Sequence, residues 1–343
     1  MRNCLLSIYI IAISTAAIAA AGSGNRFEVA SEKQILSIPV DCYSVGYHVN
    51  CGVLSTDGGS VVIVKAGRLT MRPLESLDEK ELLPQGSVTG VLGNGAGLAT
   101  QGRWIYYLQG TDQPAINDLW RLDSTTLHKE RLIQNAGGVT TPAPQPSPDG
   151  KSIAFFRRHI LMLANADGRN ERVLCDQCDP WHSMVWSPDS SQILISLATP
   201  FPYMTGVTKL SLVTVSTGQV KPLALWKGIV SSMVWPAWSS GPFLCVKEYN
   251  PAERQFHTFW DVVFNGLPSS NSQIWHLRLP DERTQLTQES ANYSVVFGAG
   301  PEGYSLVAQR MAPAPSRWAI LANGFGAADH PEGAATVVLT LRK

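Results

Sequence analysis

The chain has 343 residues, with 27 Lys+Arg against 27 Asp+Glu and a formal net charge of zero. That balance excludes the strong basic footprint of a nucleic-acid or anionic-membrane binder. Hydrophobic residues at 44% supply a sizeable core and exclude wholesale disorder, and charged residues make up only 16%.

Residues 1–21 read as a secretory signal peptide. Arg2 is the positive start, Leu5 to Ile13 the apolar stretch, and Ala17-Ile18-Ala19 or Ala19-Ala20-Ala21 the cleavage site. No later stretch approaches 18 uninterrupted apolar residues, so no integral membrane segment is expected after it. The expected location is periplasmic or secreted. Residues 22–343 are expected to form a single domain.

Export permits disulfides. Cys42 and Cys51 flank a short segment with Gly46 and suit a hairpin-like bridge. Cys175 and Cys178 form a C-x-x-C, expected as a small local disulfide. One such pair cannot complete a four-ligand zinc site, and no H-x₃₋₅-H partner follows. A redox-active pair would open a helix in a βαβ unit, which the pattern lacks. Cys245 lies in the apolar run Phe243-Leu-Cys-Val246 and reads as a buried free thiol.

Before any repeat stands a lone strand pattern, Ser31 to Val40. It is expected to add to the last sheet beside Thr336 to Leu341 and so close a ring. The strand at the end, up to Lys343, could instead close the ring alone.

The chain then repeats itself. The clearest copies are Pro146-Ser-Pro-Asp-Gly-Lys-Ser-Ile-Ala-Phe155 and Trp186-Ser-Pro-Asp-Ser-Ser-Gln-Ile-Leu-Ile195. A second strand follows each, His159 to Ala164 or Lys209 to Val215, and then a polar turn and a short run ending in Leu. Four degenerate copies share the template. Their turns are Ser55-Thr-Asp-Gly58, Thr100-Gln-Gly102, Trp238-Ser-Ser-Gly241 and Gly300-Pro-Glu-Gly303. The fourth turn position falls at Gly58, Gly102, Gly150, Ser190, Gly241 and Gly303, spaced 44, 48, 40, 51 and 62 residues.

Pro pre-sets φ, Asp bonds back to the backbone and Gly tolerates positive φ, so each turn pairs its flanking strands as a hairpin. Short strands at this period, with helical periodicity nearly absent, read as propeller blades. The expected fold is all-β, a six-bladed β-propeller of four-stranded antiparallel blades. The blades are placed at 41–85, 86–135, 136–175, 176–227, 228–290 and 291–343. The S-P-D-G-K-x-I-A-F pattern followed by D-G-x-x-x-x-x-L resembles the WD40-like (PD40) repeats of TolB-type β-propellers. The same repeat occurs in the propellers of prolyl oligopeptidase-like proteins. TolB-type proteins carry an α/β domain before the propeller. Here only about 20 residues separate the leader from the first blade.

No G-x-S-x-G nucleophile elbow occurs, which argues against peptidase activity. The seven His (48, 128, 159, 182, 257, 276 and 330) form no close ligand pair. Asp57, Asp149 and Asp189 occupy repeat-turn positions and read as turn formers. No catalytic residue, metal ligand or cofactor is therefore assigned. Trp186 and Trp238 precede repeat turns and read as wedges between blades. Trp181, His182 and Trp235 lie near inner strands and are candidates for the channel mouth. Between Val246 and Gln273 lies an aromatic-rich insertion with Tyr249, Phe256 and Trp260, a candidate partner-docking loop. The expected function is a non-catalytic scaffold binding a protein, a peptide or an envelope polymer. The alternative is a channel-centred metal-dependent enzyme, a lyase or lactonase-like hydrolase.

Overall fold

The structure is a computed structural model. It describes residues 26–36, 43–44, 47–48, 52–65, 67–76, 78–85, 87–88, 97–113, 116–137, 142–176, 178, 180–198, 207–248, 272–288, 293–310 and 335–343. All regular structure among them is β-strand, and every pairing is antiparallel.

Strand β1 (Glu28–Leu36) comes first, then a two-strand pair, β2 (Tyr43–Ser44) and β3 (Tyr47–His48). The first four-stranded blade is β4 (Gly52–Leu54), β5 (Ser60–Lys65), β6 (Arg68–Pro73) and β7 (Lys80–Leu83). The second is β8 (Ala99–Gln101), β9 (Trp104–Gly110), β10 (Asn117–Asp123) and β11 (Lys129–Gly137). The third is β12 (Gln145–Pro146), β13 (Ser152–Arg157), β14 (Ile160–Asn165) and β15 (Arg172–Cys175).

A seven-stranded sheet follows: β16 (Pro180–Trp186), β17 (Gln192–Ala198), β18 (Val207–Thr214), β19 (Val220–Val234), β20 (Phe243–Glu248), β21 (Ser272–Arg278) and β22 (Glu282–Gln285). The last sheet is β23 (Tyr293–Ala299), β24 (Ser305–Arg310), β25 (Ala335–Arg342) and, outermost, β1.

The described residues thus hold four separate four-stranded blades rather than six. The two blades expected at 176–227 and 228–290 are one sheet. The cause is β19, a 15-residue strand with no turn to divide it. Its first half, Val220 to Lys227, pairs with β18, and its second half, Gly228 to Val234, pairs with β20.

Both faces of the four- and seven-stranded sheets carry buried side chains, as a blade requires. In β13 the alternation is direct. Ile153 and Phe155 join a cluster with Tyr106 and Leu119 of the second blade, and Ala154 and Phe156 join one with Ile193 and Ile195 of β17. Strands β5, β9, β17, β20 and β24 divide their side chains between two clusters in the same way. The inner strands also touch in sequence: β4 to β8, β8 to β12, β12 to β16, β16 to β19, β19 to β23, and β23 back to β4. That circle is a β-propeller.

The ring is closed by β1, which pairs with β25 from Glu28↔Arg342 to Leu36↔Thr336. The strand expected at Ser31 to Val40 therefore lies where it was placed but starts three residues earlier. Residues 37–40 lie outside the described set. Phe27 anchors its start, buried among Phe243, Ile274, Tyr293 and Leu339.

Candidate functional site

The repeat turns hold the most obvious carboxylates, and the structure gives those groups to the backbone. The Ser147 hydroxyl donates to Asp149 Oδ1 (2.6 Å) and accepts from the Ser152 amide (2.9 Å). Asp149 Oδ1 accepts from the Lys151 amide at 3.1 Å. Ser55 and Asp57 repeat this geometry, with Ser55 Oγ 2.6 Å from Asp57 Oδ1 and the Gly59 amide 3.0 Å from it. Ser187 and Asp189 do so again at 2.6 Å, with the Ser191 amide at 3.1 Å. In all three the serine hydroxyl is the main force holding the carboxyl below the usual carboxylate range. These acids build turns.

The copy at Trp238 departs from the template because Ser240 and Gly241 stand where Asp and Gly would. With no Asp to engage, the Ser239 hydroxyl donates to the Gly241 carbonyl (2.6 Å) and lies 3.0 Å from His276 Nε2. With Nε2 protonated, the ring donates to Ser239 Oγ while the hydroxyl donates to the carbonyl. A serine activated as a nucleophile would need the reverse. His276 stacks on Phe243 at 4.7 Å and meets the edge of Phe27 at 5.1 Å. Burial brings its pKa down to about 4, which leaves it neutral near pH 7. Trp238 and Tyr304 complete this aromatic group, and the Lys343 ammonium sits 4.3 Å from the Tyr304 ring. The missing turn Asp at position 240 was the signal in the sequence. The pairing with His276 was not readable, because the two residues lie on different strands.

The predicted binding residues are placed as follows. Trp181 and His182 lie on β16, an inner strand of the ring, and their side chains are outside the described set. Trp235 is half-buried and packs against the cluster of Leu194, Leu210, Trp226 and Leu244. Tyr249, Phe256 and Trp260 lie outside the described residues, as do Cys42 and Cys51. Cys175 and Cys178 form a disulfide, both buried where β15 passes into β16. Cys245 is a buried free thiol that donates to the Tyr293 carbonyl at 3.2 Å. Trp186 is buried between the third blade and β17, with its indole N–H 2.9 Å from the Gln145 carbonyl. Among the described residues no group of His, Cys, Asp or Glu could hold a metal ion.

The two sides of the ring differ. In an antiparallel blade the turn from first to second strand lies opposite the connection from second to third. The first kind is short: 55–59, 147–151 and 187–191. The second kind is tight at Lys65↔Arg68 and Arg157↔Ile160. It then lengthens to the residues between Ala198 and Thr208, between Lys247 and Ser272, and between Arg310 and Ala335. The three longest connections of this kind thus leave from strand ends on one side, at neighbouring positions around the ring.

No family model and no curated protein matches the sequence. Solved structures do. A chain of a nidogen/laminin complex is 14% identical over 74% of this chain and 85% of that one, with a TM-score of 0.51. A putative TolB from Agrobacterium tumefaciens is 19% identical over 53% of this chain and 68% of that one, with a TM-score of 0.41. TolB from Acinetobacter baumannii is 12% identical over 70% and 54%, with a TM-score of 0.48. At 14% identity, the likeness to the nidogen/laminin chain speaks to fold alone. With the repeat turns and the ring of antiparallel sheets, the chain is a TolB-like β-propeller in fold.

Proposed function

We propose that this protein is an exported, non-catalytic binding propeller that recognises a protein, a peptide or an envelope polymer. The observation that carries the reading is the asymmetry of the ring. Short turns occupy one side, and the long connections 249–271 and 311–334 leave from the other, from adjacent sheets. In repeat folds such insertions supply binding surface without disturbing the packed scaffold. The first of them carries Tyr249, Phe256 and Trp260, side chains suited to recognition. Trp181 and His182 on β16 are proposed to contribute at the channel mouth.

We read the ring as six-bladed, with the seven-stranded sheet as two blades sharing β19. The six apolar clusters and the circle of inner-strand contacts support that reading. The Cys175–Cys178 disulfide supports an oxidising compartment, periplasmic or extracellular. No helix among the described residues is long and apolar enough to cross a membrane.

The test is a pull-down from envelope extract with the wild type and a 250–268 deletion, alongside metal analysis. The reading predicts a partner retained by the wild type and lost by the deletion variant, with both showing the same β-sheet circular dichroism. A stoichiometric divalent ion whose removal abolishes a hydrolytic or lyase activity would establish the enzyme alternative instead.

A further inference from the structure

We propose that Arg72 is the centre of a buried oxyanion site in the seam between the first blade and the closing blade. Arg72 lies on β6, opposite Val61 in register. Val61 and Leu74 pack with Val307 and Val338 of the closing blade and with Ile35 of β1. Met71, one residue before, packs into the opposite seam. Strand alternation therefore puts the Arg72 side chain on the face that meets the closing blade.

Arg72 is 8% exposed, and its Nε and Nη2 are buried with no hydrogen-bond partner among the described residues. These two nitrogens lie on one edge of the guanidinium. Their N–H bonds run parallel, and that edge grips two oxygens of a carboxylate or phosphate side by side. Arginine cannot relieve the cost of burial by losing its proton, so a counter-charge must come from elsewhere.

Among the described residues, the carboxylates that flank this seam in sequence are committed. Glu75 pairs with Lys33 at 3.4 Å, Glu28 pairs with Arg342 at 3.0 Å, and Glu32 pairs with Arg310. The ligand class that fits is a small oxyanion, inorganic phosphate or a short carboxylate. The seam is otherwise packed with apolar side chains, Val61, Leu74, Val307 and Ile35, which favours a small one. Bound there, it would clip the first blade to the last and stabilise the closed ring.

The test uses the full chain, exhaustively dialysed into chloride buffer free of phosphate and carboxylate. Oxyanion released on acid denaturation is measured by ion chromatography, and Tm is followed against phosphate and against acetate, with sodium chloride at matched ionic strength as reference. The site predicts either about one oxyanion released per chain or a Tm rise of roughly 5 °C at saturating phosphate or acetate. Phosphate alone acting identifies a phosphate site, and acetate acting equally identifies a general carboxylate site. R72M and R72K should lose both signals. R72K keeps the charge without the parallel edge, so it decides the question if R72M does not fold. No released anion together with no Tm rise in the wild type, or either signal persisting in R72K, would overturn the proposal.

Discussion

Glu28 and Arg342 face each other across the β1–β25 pair, with Arg342 Nη2 3.0 Å from Glu28 Oε2. The contact joins the two ends of the ring, but it is exposed and worth only a few tenths of a kcal/mol. The closure instead rests on backbone pairing and on Phe27, which is 2% exposed. F27A should therefore cost about 3 kcal/mol in denaturant unfolding, while R342A costs less than about 1 kcal/mol. Removing residues 26–36 should raise amide exchange across 335–342 before any other strand.

Acid should weaken the fold in two separable steps. His276 has its pKa lowered to about 4 by burial, so its contribution is fully present above the unfolded value near 6.5 and lost as pH falls toward 4. Asp57, Asp149 and Asp189 are held below their unfolded values, so their contribution is present above about pH 4 and lost only below it. H276F should flatten the first step and D149N should shrink the second, as read from urea midpoints between pH 7 and pH 3.

Gly218 and Gly303 both sit at positive φ, +72° and +52°. A Cβ at Gly218 would run into the Leu174 carbonyl of the third blade, whereas one at Gly303 meets nothing within 4 Å. G303A should cost about 1 kcal/mol, the conformational term alone. G218A should cost clearly more, because the backbone of one sheet must shift against its neighbour. Thermal melts of the two variants check the order.

The fold was legible where the repeat kept its chemistry. Ser147-Pro-Asp-Gly and Ser187-Pro-Asp-Ser announced the hydrogen-bonded turn that the structure contains. That β19 runs unbroken through Gly228 was not legible, because the repeat template starts a new blade there. His159, read as part of a strand, lies exposed in the turn between β13 and β14. Its run of apolar neighbours begins only at Ile160. Arg72 was invisible too, because the second of two arginines in Arg68-Leu-Thr-Met-Arg-Pro73 looks like an outward residue until the neighbouring blade covers it. Site residues were the least legible, because a channel mouth is assembled from strands far apart in sequence.

Cysteine chemistry should separate clearly. Burial pushes the Cys245 thiol up to about 12, so it should resist iodoacetamide at pH 8 in the folded protein and react after unfolding. C175S/C178S should lower stability by about 2 kcal/mol, a modest amount because the bridged loop is short. Peptide mass spectrometry and equilibrium unfolding check both.

The most direct measurement of the central claim is photo-crosslinking from the two sides of the ring. A photoreactive side chain replaces Phe256, in the long connection after β20, or Gly303, in the short turn before β24. Each variant is exposed to envelope extract and irradiated. Recognition on the long-connection side predicts a discrete adduct from position 256 and none from position 303. An adduct from position 303 alone, or none from position 256, would contradict it.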